Sequence, residues 1–551
     1  MSELKGAELL VKNLEAQGVK YVFGIPGAKV DKVFDALVDS PIQTVVCRHE
    51  QNAAFIAAAM GRMTGQAGVV LVTSGPGCTN LVTGLATATS EGDPMVALGG
   101  AVPSADRLKQ VHQSLDTVSL FRPVTKFSAE IDSPAAISEV LGNAFRAAES
   151  GRPGAAYVSL PADLILGPAT APVLTPVKPF SYGPAPAEAI EQAAGLINRA
   201  RCPVLMLGMM ASAPDNAQAV RHLLARVKLS VVCTYQAAGV VPRHLLALFG
   251  GRVGLFHNQP ADRLLDSADL VITVGYDPIE YDPGLWNRGR KRELVHIDAV
   301  APDLDNDYRP AVVLLGDIAA TLQALAGQLE ARVAVGEVAL LEAVRLELET
   351  VKQEGAVRRG RPVHPLRLIH ELQQILSEDM TVCSDMGSFH IWLMRYLYSF
   401  RPRQILITNG QQTLGVGLPW AIAACLARPG EKVLSISGDG GFMFSAPELE
   451  TAVRLGCHFV HLVWTDGAYN MVKIQQKLKY GRSAAVDFGP VDLVKFAQAF
   501  GAAGLRIEDS EQVAPVLKQA MGMAGPVIVE VPVDYAENHR LIEQMHPGLM
   551  H

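Results

Sequence analysis

Only seven cysteines occur in 551 residues (Cys47, Cys78, Cys202, Cys233, Cys383, Cys425 and Cys457), an odd and scattered set with no CxxC pair and no Cys/His ligand spacing. That excludes a disulfide framework and a structural zinc, and the cysteines read as buried thiols. Charge is scarce too: Asp, Glu, Lys and Arg make up 19% of the chain and the net charge is −7 at pH 7. With no basic block or arginine-rich stretch to meet a phosphate backbone, a nucleic-acid partner is excluded. No apolar run is long enough to span a bilayer. The opening stretch MSELKGAELLVKNLEAQG has acidic residues and a helical pattern where a leader would have a basic head and an apolar core. No membrane is expected, and a cytoplasmic enzyme is the default reading.

What the chain has in abundance is apolar residues, 49% of the total, in runs of strand length. Up to about residue 160 these are YVFGI, TVVC, GVVLVTS, MVALGG and AAYVSL, alternating with helical segments. Continuous rather than alternating apolar runs indicate parallel strands covered by helices on both faces. A proline-rich linker from Pro172 to Pro179 separates this part from a second set of runs (PVLMLG, LSVVCT, DLVITVG, ELVHID, AVVLLG), and a second linker covers Leu348 to Pro365. The third part repeats the alternation. The expected fold is α/β, with three doubly wound parallel-sheet domains spanning 1–171, 187–335 and 363–535.

The most informative stretch lies in the third part. An apolar strand from Lys432 to Ser437 runs into Gly438-Asp439-Gly440-Gly441, a glycine-rich turn in which backbone N–H groups can approach a ligand closely. A helix is expected over Ala446 to Leu455, and a second strand, His458 to Thr465, delivers Asp466 to the same sheet edge. Two hard oxygen ligands at one edge suit Mg²⁺, which completes its octahedron with waters and phosphate oxygens. The bland alternative is a glycine-rich turn that binds nothing.

Other loops at strand ends carry candidate groups. Gly24-Ile25-Pro26-Gly27-Ala28-Lys29 offers a mobile cation for a small carboxylate, or merely a solvated lysine. Arg48-His49-Glu50 places an acid before an alanine-rich helix, suited to proton exchange or to a plain helix N-terminus. Ser74-Gly75-Pro76-Gly77-Cys78-Thr79-Asn80 turns tightly into a helix. Ser384-Asp385-Met386-Gly387-Ser388-Phe389-His390 ends a strand and starts a helix whose N–H groups suit a diphosphate, and Asn409 to Gly415 can surround a ring. Gln113 and Phe121 lie in a long polar connection, where such residues are usually surface groups. In the second part, Gly208-Met209-Met210-Ala211 lacks a full GxGxxG, so no nucleotide follows from it.

Taken together, IPGAK, RHE, TSGPG, VHQS, SDMGSFHIW, NGQQTLG and SGDGG resemble the thiamine-diphosphate-dependent decarboxylase and acetohydroxyacid synthase superfamily over nearly the whole chain. The three parts then correspond to its pyrimidine-binding, central and diphosphate-binding domains. A narrower likeness, carried by IPGAKVDKVFD, KQVHQSLDTVSLFRPVTK, CTYQAAG, RVGLFHNQ and NGQQTLGV, is to the catabolic acetolactate synthase family of the butanediol and acetoin pathway.

The resemblance implies thiamine diphosphate and Mg²⁺ as cofactors, with Asp439, Asp466 (where relatives carry Asn) and the Ala468 carbonyl as metal ligands. It implies that Glu50 meets the pyrimidine N1′ from the neighbouring subunit, that the Gln412 carbonyl takes the 4′-amino group, and that Leu414 wedges beneath the cofactor. Ser388, Phe389, His390, Gly438, Gly440, Gly441, Tyr469, Asn470 and Met471 would surround it. Lys29, Gln113 and Gln475 would hold the carboxylate or keto oxygen of pyruvate, with Phe121 shaping the acceptor side. The implied reaction condenses two pyruvate to 2-acetolactate and CO₂ in a homodimer with sites between subunits, or a homotetramer. FAD is not expected, because flavin-bearing relatives carry an RFDDR-like stretch where this chain has Gly275-Tyr276-Asp277-Pro278-Ile279-Glu280-Tyr281. Other readings are an FAD-containing biosynthetic subunit or a pyruvate oxidase, and, in another class, a non-catalytic binding protein of the same fold.

Overall fold

The computed structural model describes residues 4–176, 182–331 and 338–542. Among these are three six-stranded sheets in which every strand pair is parallel. The first contains β1 (Tyr21–Ile25), β2 (Gln43–Val46), β3 (Gly68–Val72), β4 (Met95–Ala101), β5 (Phe127–Glu130) and β6 (Ala155–Pro161), in the order β2-β1-β3-β4-β6-β5. The second contains β7 (Pro203–Leu207), β8 (Ser230–Thr234), β9 (Phe249–Val253), β10 (Leu270–Val274), β11 (Glu293–Asp298) and β12 (Val312–Leu315), in the order β12-β11-β10-β7-β8-β9. The third contains β13 (Met380–Ser384), β14 (Ile405–Leu406), β15 (Lys432–Gly438), β16 (Phe459–Thr465), β17 (Ala503–Arg506) and β18 (Pro526–Pro532). Its order, β14-β13-β15-β16-β18-β17, repeats that of the first sheet.

Inner strands such as β3, GVVLV, are buried at every position, as expected when helices cover both faces. Three strands that the apolar pattern does not announce, β5, β9 and β17, all sit at a sheet edge. β5 and β17 are only partly buried, and two glycines interrupt the run in β9. β18, PVIVEVP, is an inner strand beyond the expected set.

The described chain packs as two compact units rather than three. The first holds 4–176 with Leu418–Gly430 and Ser445–Cys457, and the second holds the rest. Within the second unit one continuous core joins side chains of the second sheet (Met206, Val232, Val271) to those of the third (Val382, Leu434, Leu462, Val529). The third sequence segment therefore lends helical chain to the first unit. The helix Gly417–Ala427, GLPWAIAACLA, shows why: it has no charged residue and needs apolar cover all round.

In the first unit the helix Glu50–Thr64 is almost wholly buried along its middle. His49 caps its start, its side chain accepting from the Gln51 N–H, and Gly65 ends it in a left-handed conformation at φ 76°. Near that end Arg62 donates to both oxygens of Asp93, at 2.6 and 2.8 Å, with Glu91 at 3.9 Å and the Trp420 ring 4.7 Å from the guanidinium. Asp93 and Glu91 are themselves buried. Replacing Arg62 by Ala would remove the guanidinium that pairs with two buried carboxylates, so a loss of about 3–5 kcal/mol is expected. Urea unfolding followed by circular dichroism measures it, and a loss below about 1 kcal/mol, typical of an exposed pair, would show that the pairing is not what anchors this helix.

Candidate active site

β15 and β16 run side by side from Val433–Phe459 to Gly438–Trp464, so the chains leaving them emerge together. The glycine-rich turn expected after β15 is in fact the first turn of a helix, Asp439–Ser445, and the expected helix at 446–455 is the shorter Glu448–Arg454. An acid at the first helical position is favourable there, because the helix dipole is positive at that end. Asp439 Oδ1 accepts the Gly440 N–H at 2.9 Å, while Oδ2 accepts those of Asp466 and Gly467 at 3.1 and 2.8 Å. The two acid-bearing loops are thus tied to each other through the carboxylate itself.

Both acids hold their protons more tightly than usual. Burial raises Asp439, opposed by its three N–H donors. Desolvation at the cavity wall and then the Asp439 charge push Asp466 up to about 6, although the Asn470 amide donates to its Oδ2 at 2.6 Å. Between the two, Ala468 lies in a strap held on either side by Tyr469 N–H to Val486 O (2.9 Å) and Phe488 N–H to Gly467 O (3.1 Å). Those bonds leave the Ala468 carbonyl out of the ladder. Two carboxylates and a carbonyl form an oxygen set that a hard divalent cation would neutralise, provided a polyanion fills its remaining positions. Among the described residues no cluster of three His, Cys, Asp or Glu offers a metal a complete protein cage.

A cavity of about 420 Å³ opens against this edge, within the second unit. Its walls bring together Gly438, Asp439, Gly440, Gly441, Asp466, Ala468, Tyr469, Asn470 and Met471 with Ser388, Phe389, Gln412, Leu414 and Gln475. Gly440 has to be glycine, since a Cβ would come within 2.7 Å of the Tyr469 ring. Ser388 and Phe389 open the helix Ser388–Tyr396, whose N-terminal N–H groups face an anion favourably. Asn470 joins the parts: its Oδ1 accepts from Ser388 Oγ at 3.0 Å and from Asn538 Nδ2 at 2.8 Å, and Asn538 in turn accepts from Trp392 Nε1 at 2.7 Å.

His390 does not line the cavity. Helical rotation turns it into the core, where it is 0% exposed, shares a hydrogen bond with Ser384 Oγ at 3.2 Å and sets its ring 5.7 Å from Tyr235. Its backbone N–H donates to the Gly387 carbonyl, and burial lowers the imidazole to about 3, so it is neutral. The side chain of His390, expected to surround the cofactor, is thus placed in the core rather than on the cavity wall.

The first unit gathers a second polar group at the carboxyl ends of β1, β3 and β4. Glu50 is half-buried, and its Oε2 accepts from Asn80 Nδ2 at 2.9 Å. Ser74 Oγ donates to Gln113 Oε1 at 2.8 Å, and Gln113 holds a left-handed backbone conformation, φ 62°, against Gly75. Lys29 packs its stem beside Gly100, next to the Ser74 backbone. Phe121 is different: it is 0% exposed, with its ring 4.1 Å from that of Tyr157, so it has no face to offer a substrate. The expectation that it shapes the acceptor side concerns a residue that this chain packs behind that surface.

Sequence reasoning assigned no role to Leu255, Phe256, Trp464 and Tyr535, all of which line the cavity. RVGLFHNQ was a visible signal for the first two, but the left-handed turn at Leu255, φ 61°, that presents them has no sequence signature. Nothing in the sequence pointed to Tyr535.

Three family models match the chain: "Thiamine pyrophosphate enzyme, N-terminal TPP binding domain" over residues 4–120, the central domain over 190–325, and the C-terminal TPP binding domain over 385–531. The chain is 52% identical over 543 residues to a catabolic acetolactate synthase of Raoultella terrigena, covering 98% of this chain and 97% of the relative. It is 50% identical over 544 residues to an acetolactate synthase of Bacillus subtilis, covering 98% and 95%. To the acetolactate synthase isozyme 2 large subunit of Escherichia coli it is 31% identical over 544 residues, covering 97% and 96%. With such likeness along nearly its whole length, the chain belongs to the thiamine-diphosphate-dependent acetolactate synthase family.

Proposed function

We propose that this protein condenses two molecules of pyruvate to 2-acetolactate and CO₂, using thiamine diphosphate and Mg²⁺ without flavin, as a catabolic acetolactate synthase. The observation that carries this reading is the pair Asp439–Asp466 with the Ala468 carbonyl on one wall of a cavity that also presents Gln412 and Leu414. The donor set fits a diphosphate-bound Mg²⁺, because it supplies charge and oxygen but leaves coordination positions for the ligand's phosphates.

In this reading Asp439, Asp466 and the Ala468 carbonyl hold the cation, and the N-terminus of the helix Ser388–Tyr396 faces the diphosphate. Gln412 would hold the cofactor's amino group through its carbonyl, and Leu414 would support its ring system. When bound, thiamine diphosphate supplies a nucleophilic carbon for the keto group and an electron sink for loss of CO₂. Glu50, contributed by a second copy of the chain in a homodimer or homotetramer, holds and returns the proton at N1′. Lys29 and Gln113 hold carboxylate or keto oxygens of pyruvate, and Gln475 orders the second molecule. Leu255, Phe256 and Met471 keep bulk water from the reacting carbon, which favours capture by pyruvate over capture by a proton.

The central domain supports independence from flavin. In an open α/β sheet a dinucleotide sits where the strand order reverses, here between β7 and β10. Glu280, from the loop after β10, closes that crevice by accepting the Met209 N–H at 2.9 Å and the Thr234 hydroxyl at 2.6 Å. A Cβ on Gly208 would lie 2.3 Å from Tyr276 Cα, so the loops after β7 and β10 pack closely there. The direct test is to incubate the purified chain with pyruvate, Mg²⁺ and thiamine diphosphate and identify the product. 2-Acetolactate without added flavin is expected; activity only after FAD is added, or acetaldehyde as sole product, overturns the reading.

Glu50→Gln keeps the shape of the side chain but removes its proton affinity, so turnover should fall by about two to four orders of magnitude while cofactor binding is retained. Near-normal turnover would remove Glu50 from the proton transfer. Gln475→Ala should lose a contact worth about 1.5–3 kcal/mol to a charged acceptor. The ratio of acetaldehyde to acetolactate is then expected to rise, most at low pyruvate. An unchanged ratio and pyruvate dependence would place Gln475 outside the acceptor site.

A further inference from the structure

Asp385 follows β13 and is 0% exposed, yet it lines no part of the cavity. Its carboxylate is enclosed by backbone. Oδ1 accepts the Met386 N–H at 2.7 Å and the Gly415 N–H at 3.0 Å, and Oδ2 accepts Gly415 and Gly417, each at 3.1 Å. Among the described residues no Lys, Arg or His side chain pairs with it in a salt bridge. Three cavity-forming segments meet at this one group: the turn before Ser388, the loop carrying Gln412 and Leu414, and the glycines after β15. A Cβ on Gly417 or on Gly441 would come within 3.3 Å of the Asp385 side chain, so both stay bare to make room for it.

We infer that Asp385 is a positioning residue, whose carboxylate clamps the Gln412–Gly417 loop so that the Gln412 carbonyl and the Leu414 side chain stand at fixed depth in the cavity. The loop needs such a clamp. Gln412 and Gly415 are both left-handed, at φ 50° and 88°, and a non-glycine residue stays in that region only when its surroundings over-determine it. A carboxylate suits the position better than an amide, because both its oxygens accept while an amide would turn an NH₂ group towards one set of N–H donors. The charge is kept here against an opposing desolvation, which raises the Asp385 carboxyl to about 6 in spite of its N–H donors. This inference rests on the reading of Gln412 and Leu414 as cofactor contacts.

The test combines Asp385→Asn, Leu414→Ala and the double variant. In the cofactor-free protein, hydrogen exchange over 412–417 should be slow in wild type and about ten- to a hundredfold faster in Asp385→Asn, with β13 and β15 unchanged. Calorimetric affinity for thiamine diphosphate with Mg²⁺ should fall by about the same factor in Asp385→Asn. In the Leu414→Ala background the second substitution should cost far less, because both act through one contact. Unchanged exchange, unchanged affinity, or losses that simply add would overturn the clamp. Should Asp385→Asn fail to fold, wild-type exchange still decides, since Gly415 and Gly417 amides exchanging as fast as open loops would contradict it. A wild-type chain with slow exchange that binds no thiamine diphosphate would instead overturn the cofactor reading and leave the clamp standing.

Discussion

Two carboxylates leaving adjacent parallel strands at the same edge are the constraint on which the site depends. Asp439 and Asp466 are tied together by backbone N–H bonds to Asp439, and each holds its proton more tightly than a free acid would. In a wall partly closed to water desolvation penalises both charges, and the Asp439 charge adds to the cost of ionising Asp466. In the proposed function a divalent cation removes the conflict, and a polyanion completes the cation. Placing Gly440 beneath Tyr469, the helix N-terminus at Ser388, and the relay from Asn470 to Asn538 all follow as ways of shaping the space around that ion.

The first and third sheets share a strand order, and the same topological positions carry the functional loops in both. Lys29 follows β1 as Ser388 follows β13. Glu50 follows β2 as Gln412 and Leu414 follow β14. Ser74 follows β3 as Asp439 follows β15. One architecture thus carries two sets of groups: one loop set offers an acid, a lysine and amides, the other two carboxylates at the wall of a cavity. The central sheet has a different order, and its switch point is filled by Glu280 rather than left open.

Much of this was legible in the sequence because parallel strands buried on both faces write themselves as continuous apolar runs, and because glycine-acid turns at their ends are chemically distinctive. Asp439 and Asp466 were found in that way, Gln412 and Leu414 through the family resemblance, and the four share a cavity. Edge strands β5 and β17 were invisible because half-exposed strands carry no such run. A motif fixes which residues are near a site but not which way a side chain rotates, and the side chains of His390 and Phe121 both turn into the core. Asp385 sat in a quoted motif without a role, since only the fold reveals that its carboxylate faces backbone N–H groups from a loop some thirty residues further on.

The central claim, that an acid pair, a cation and a diphosphate complete one another, is tested most directly by calorimetric titration of thiamine diphosphate into the purified chain with Mg²⁺ and again with a chelator. Binding that is tight with Mg²⁺ and weaker by orders of magnitude without it is the expected result. Equal affinity in the two conditions would contradict the account.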